Sequence, residues 1–195
     1  MEGGCMAKSV SALHGHMKKG RYGAAGKAGV IIKEVAVTSL IQISSWPDSV
    51  PDNEKVAAKS AGLRAAPGPG KVKRGKKSDL LRIEPLKWWV ISDHGEITLP
   101  SVAAEKGMVL DLSSSKTWLK ISGSQAAHLL NHFLPLDFRK DVFSENDVAS
   151  TGFHHIGVTV WRDEDGFNLL LPRSFALSLW ELLEASALQY GLEVK

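Results

Sequence analysis

One stretch near the C-terminus constrains this chain more than any other. Gly152 to Arg162, with Ile156, Val158 and Val160 directed inward, and Phe167 to Leu171 flank the connection Asp163-Glu164-Asp165-Gly166. Asp165-Gly166 supplies residues that tolerate positive φ, so the two apolar runs are predicted to pair as an antiparallel hairpin. The connection leaves no room for a crossover helix, which makes the sheet antiparallel, and an apolar sheet face must be covered by another layer. The cover follows in the sequence. Pro172 precedes a helix starting near Ser174 with Ala176, Leu179, Trp180, Leu183 and Ala187 on one stripe, and Gly191 stands just past its end.

The same order of elements recurs upstream. Thr117 to Ser122 reads as a strand, and Gly123-Ser124 turns into a helix with Ala126, Leu129, Leu130 and Phe133 on one face, stopped by Pro135. Earlier still, Val37 to Ser44 alternates as a strand does, and Asp52 caps a helix whose weak stripe includes Val56 and Leu63. Leu80 to Glu84 and Trp88 to Ser92 are two strands joined tightly through Pro85-Leu86, and Met108 to Leu112 is another short strand. The expected fold is α+β: two βαββ-type units with antiparallel sheet packed against helices, occupying residues 30–113 and 114–195.

With 195 residues, 44% of them hydrophobic, the chain suits one large domain or two small halves sharing a core. Its formal net charge of +3 conceals an asymmetry. Residues 1–38 carry six basic and two acidic side chains, and residues 64–77 carry six basic and none acidic, so the remaining body is net acidic. The Gly- and Lys-rich arm 1–29 is expected to be disordered, and 64–77 to be a flexible basic loop. Neither segment has more than one aromatic residue, which favours solubility or docking onto an acidic partner surface over nucleic-acid binding. No apolar run approaches the ~18 residues of a membrane span, and no apolar signal core occupies the first thirty residues. The single cysteine, Cys5, excludes an internal disulfide and a cysteine-rich zinc site. The expectation is a cytoplasmic protein that does not enter a membrane.

Each candidate for chemistry meets a physical objection. Gly70 to Lys77 has the spacing of a phosphate loop, yet Lys77 stands where a Ser or Thr must ligate magnesium, and a strand follows where a helix N-terminus is needed. His128 and His132 lie four apart on the second-half helix, with His154-His155 on the next strand, but no glutamate completes a hydrolytic zinc motif. Ser113-Ser114-Ser115 lacks a glycine-flanked elbow, and Cys5 has no partner histidine that the sequence can place. Asp163 and Asp165 are better used as turn residues than as an acid and a base. Arg173, at a helix start, faces the positive end of the dipole and calls for an anionic neighbour or a surface carboxylate. Trp88-Trp89 point to opposite faces of one strand, so one face is open to a protein partner unless both are buried within the chain. No catalytic, cofactor-binding or metal residue is assigned.

Several segments together resemble a known family. Ser39-Leu40-Ile41-Gln42-Ile43-Ser44-Ser45-Trp46-Pro47, Pro67-Gly68-Pro69-Gly70 and Leu81-Arg82-Ile83-Glu84-Pro85-Leu86-Lys87-Trp88-Trp89 are followed by Leu110-Asp111-Leu112-Ser113 and Leu119-Lys120-Ile121-Ser122-Gly123. Pro135-Leu136-Asp137 and Pro172-Arg173-Ser174-Phe175-Ala176 with Trp180 complete the series. In this order, over roughly residues 29–190, they resemble the gamma subunit of heterotetrameric sarcosine oxidase. Ser114-Ser115 departs from the histidine or arginine often found there in that family. The resemblance implies a fold like part of the folate-binding aminomethyltransferase superfamily. It also implies a noncatalytic subunit, partnered by alpha, beta and delta chains, that supports a complex demethylating sarcosine oxidatively to glycine with folate as one-carbon acceptor. FAD, FMN, NAD and tetrahydrofolate would be held by the other subunits and none by this chain. The alternatives are a stand-alone folate-binding aminomethyltransferase-like protein and an RNA-processing accessory of the same superfamily.

Overall fold

The structure, a computed structural model, describes residues 10–195; residues 1–9, and with them Cys5, lie outside the described residues. Its elements in chain order are β1 Gly20–Tyr22, β2 Val30–Val35, β3 Ser39–Ser45, α1 Val50–Ser60, β4 Val72–Arg74, β5 Asp79–Glu84, β6 Lys87–Ser92 and β7 Gly107–Asp111. There follow β8 Lys116–Ser122, α2 Ala126–Asn131, β9 Val148–Phe153, β10 Ile156–Asp163, β11 Gly166–Pro172, α3 Ala176–Ala187 and β12 Leu192–Val194. They form two sheets, one of seven strands in the order β1-β12-β2-β8-β11-β10-β9 and one of five in the order β4-β5-β6-β3-β7.

The order reveals a duplication with an exchange. Strands β9-β10-β11-β8-β2 repeat β4-β5-β6-β3-β7 place for place, every pair antiparallel. Each unit's leading strand, however, pairs in the other unit's sheet: β2, ahead of β3, lies beside β8, whereas β7, ahead of β8, lies beside β3. The repeat extends to side chains. Arg82 pairs across its hairpin with Trp88 and its guanidinium lies 4.8 Å from that ring, while Arg162 pairs with Phe167 at 5.0 Å.

Alternation along the strands builds four layers. Ile41, Ile43, Leu80, Trp88 and Val90 face Ala57, Ala58 and Ala61 at the C-terminal end of α1. Their neighbours Leu40, Leu81, Trp89 and Ile91 face the second sheet and meet Trp118, Trp161 and Leu170 there. The far side of the second sheet, with Leu119, Ile121, Val160, Leu169 and Leu171, packs on Leu129, Leu130, Leu179, Trp180 and Leu183 of α2 and α3. Apolar surface removed from water in this sheet-on-sheet seam stabilises the contact between the units at about 25 cal/mol per Å². The sheets also touch along one edge, where Val72 N–H donates to Asn146 O and Val148 N–H to Gly70 O.

Several expectations change. Residues 10–29, expected to be part of a disordered arm, are ordered: Leu13 is buried among the α2 and α3 core residues, and β1 pairs with β12. The basic loop 64–77 contains β4, an edge strand held by β5. Gly152 to Arg162 is not one strand, because His154-His155 turn the chain between β9 and β10, His154 adopting φ 53°. Helix α1 begins at Val50 rather than at a cap on Asp52, whose carboxylate sits in the first turn and accepts a hydrogen bond from Lys106 Nζ at 2.8 Å. No helix among the described residues is long and apolar enough to cross a membrane.

Candidate functional site

The two sheets overlap only in part, and the uncovered part of the second sheet's inner face forms one wall of a crevice. Ile31, Lys33 and Val35 of β2 and Trp118, Lys120 and Ser122 of β8 line it, since the strand period sends alternate side chains to one face. The opposite wall is Arg74 to Asp79 with Ile91, Asp93 and His94, and the enclosed volume is about 520 Å³. Asp163, at the end of β10, is the hub. Its carboxylate pairs with Lys120 Nζ and accepts Asn168 Nδ2 at 2.6 Å and the N–H groups of Asp165 and Gly166 at 2.9 and 3.1 Å. Asn168 in turn accepts the Trp118 indole N–H at 3.0 Å, and Trp118 leans on Trp161 with ring centroids 5.3 Å apart.

Two carboxyls of the crevice are driven in opposite directions. Burial works against ionisation of Asp163, but its donors, Lys120 first and then Asn168, outweigh it and hold the carboxyl below the usual range. Asp79 has burial as its largest influence, only partly offset by Arg74 and reinforced by Asp163 and Asp93, and is pushed up to about 6. Saturated with donors, Asp163 serves to hold the hairpin and the inter-sheet wall, not to accept a substrate proton.

The sequence candidates fall in different places and do not converge. Gly70 to Lys77 forms a turn and edge strand leading into β5, with no helix N-terminus to cradle phosphate. His128, on α2, and His132, just past its end, are both exposed; His132 is bonded through Nδ1 to Ser186 Oγ at 3.0 Å and through Nε2 to Tyr190 OH at 3.2 Å. His154 and His155 occupy an exposed turn, and His154 sits edge-on to Phe133 and Phe153. Among the described residues no three His, Cys, Asp or Glu side chains are grouped to hold a metal ion. Ser113 Oγ donates to Asp111 Oδ1 at 2.6 Å and accepts Leu40 N–H at 2.9 Å, a turn clamp in place of a nucleophile and its base. Asp163 and Asp165 are turn residues, as expected. Arg173 donates to the carbonyl of Val10, so a backbone dipole meets it where a carboxylate was expected.

Trp88 and Trp89 are 0% and 7% exposed, both covered within the chain, which removes them as evidence for a partner. Trp46 takes that place. It is 47% exposed just past the end of β3, its indole N–H donating to Ala104 O at 2.9 Å, and Met108 and Leu110 of edge strand β7 are exposed as well. Sequence reasoning missed Lys120 and Asp79: Lys120 alternates with the core-facing Leu119 and Ile121 and so reads as an ordinary outward lysine, and no local signal marks the crevice it enters.

Comparison with known proteins places this arrangement. The fold is that of the aminomethyltransferases: glycine cleavage system aminomethyltransferase T from Bartonella henselae superposes with TM-score 0.60 at 18% identity, over 86% of this chain and 48% of that one. A chain of the heterotetrameric sarcosine oxidase from Corynebacterium sp. U-96, in complex with pyrrole 2-carboxylate, superposes with TM-score 0.79 at 24% identity, over 93% of this chain and 96% of that one. No family model matches. In sequence the chain is a relative of sarcosine oxidase gamma subunits. It is 29% identical to that of Corynebacterium sp. (strain U-96) over 77% of this chain and 75% of the relative. It is 25% identical to that of Arthrobacter sp. over 75% and 73%, respectively. The expected resemblance and α+β fold are thereby shown.

Proposed function

We propose that this chain is the gamma-type subunit of a cytoplasmic heterotetrameric sarcosine oxidase, where it covers and is covered by alpha, beta and delta chains and contributes shape to the assembly. Sarcosine is demethylated oxidatively to glycine elsewhere in the complex, with FAD, FMN, NAD and tetrahydrofolate held by the other subunits. The observation that carries this reading is the similarity to three gamma subunits, each along about three quarters of the chain. The chemistry of the chain agrees with it: the charged crevice is a bracing network, and apolar Trp46, Met108 and Leu110 stand uncovered at 47%, 41% and 39% exposure along one sheet edge.

Co-expression of the four chains tests the proposal. Omitting this chain is expected to lower the yield of assembled oxidase and its sarcosine-dependent oxygen uptake, while the chain alone consumes no oxygen with sarcosine. Full activity and assembly of the other three chains without it would refute the reading.

A further inference from the structure

A second and larger hollow lies on the other side of the basic turn, and its chemistry is unlike that of the crevice. It runs between the C-terminal end of α1, the turn 73–78 and the segment 94–101, with a volume of about 1320 Å³. Its floor is apolar: Val56, Leu63 and Ile97 are half-buried against the α1 core, and Leu99 is 52% exposed beside them. Its rim is cationic. Lys59, Arg64, Lys73, Lys76 and Lys77 are all exposed and have no salt bridge among the described residues, against a single lining carboxylate, Glu96. Five like charges gathered around an apolar floor repel one another and leave that floor in water, and both costs are relieved by one kind of occupant.

We infer that this groove seats an acidic segment bearing apolar anchor residues, supplied by one of the larger subunits; the inference rests on the subunit reading above. Carboxylates of the segment meet the cationic rim, and its apolar side chains cover Leu99 and Ile97. Nucleic acid fits less well, because no Phe, Tyr or Trp lines the groove to stack a base. The basic run 64–77 is thus a docking rim, its charge set by the partner's acidity and its position fixed by the β4–β5 pairing.

Two measurements on the assembled complex decide the point. Zero-length carbodiimide cross-linking is expected to join Lys73, Lys76 or Lys77 to Asp or Glu of a larger subunit, within a stretch that also carries apolar residues. The full-length K73E/K76E/K77E variant is expected to associate about tenfold or more weakly than wild type, with a flatter salt dependence. L99S, which adds no charge to the groove, should weaken association without flattening its salt dependence; circular dichroism confirms that both variants fold. Wild-type affinity and salt dependence in both folded variants, cross-links confined to this chain, or self-association of the isolated chain through the groove would overturn the inference while leaving the subunit reading standing. So would salt-sensitive binding of labelled RNA that the triple variant loses while still assembling normally. Failure of the wild-type chain to assemble at all would overturn the subunit reading, and this inference with it.

Discussion

Lys120 and Asp163 come from strands separated by a helix and a further strand, and each side chain is only 19% exposed. Removing the cation leaves a carboxylate with neutral donors alone, so K120M is expected to destabilise the chain by about 2–3 kcal/mol, read from urea unfolding. Adding D163N should recover part of that loss; no recovery would mean that the ion pair is not the source. Asp79 acts in the opposite direction with pH. Its folded pKa, raised by burial to about 6, lies above the unfolded value of 3.8, so the folded chain holds the proton more tightly than the unfolded one. This group's contribution is therefore most favourable at acid pH, declines as pH rises through that interval, and is a constant penalty above it. D79N is expected to stabilise the chain by about 1–3 kcal/mol at pH 8 and by little near pH 4, at about 1.36 kcal/mol per pK unit. Equal effects at both pH values would show that charge burial is not responsible. Asp163, held below its usual range, gives stability that is present at neutral pH and lost as pH falls through its folded pKa.

The β10–β11 hairpin is the best-specified element, and one glycine shows why. Gly166 has φ +147°, and a Cβ there would stand 2.4 Å from the Ile121 carbonyl oxygen of the neighbouring strand. G166A is expected to cost about 2 kcal/mol or more in chemical denaturation, through backbone strain and displaced strand pairing; an unchanged midpoint would contradict this placement. That hairpin was legible because its turn residues and alternation are local signals. The same holds for α3, whose stripe of Leu179, Trp180 and Leu183 is buried as its spacing predicts. The β9–β10 hairpin was missed because its turn is made by His154-His155, with no glycine or proline to announce it. Strands β1 and β12, three residues each, exist through pairing with one another and with β2, which no local window reports. The bracing cluster was hidden for the same reason: Asp163 looks like a turn residue and is one, while Lys120 lies 43 positions away.

At the scale of the molecule, the exchange of leading strands makes the two units mutually dependent. Fragments 1–113 and 114–195 each lack an inner-sheet neighbour that the other holds, since β2 pairs with β8 across that cut. Each fragment alone is expected to unfold without a cooperative transition, and an equimolar mixture to regain the native circular dichroism spectrum; two separately cooperative fragments would show that the units are independent. Among the described residues the same design leaves the β7 edge, with Trp46 next to it in the chain, and the cationic groove uncovered, and these are the surfaces that the proposed subunit role requires partner chains to cover. Native mass spectrometry of this chain purified with co-expressed alpha, beta and delta sarcosine oxidase subunits tests that role most directly. The expected result is a single species containing one copy of each chain, in which Trp46 emission is shielded from acrylamide; a three-chain oxidase with this polypeptide left free and Trp46 still quenched would contradict it.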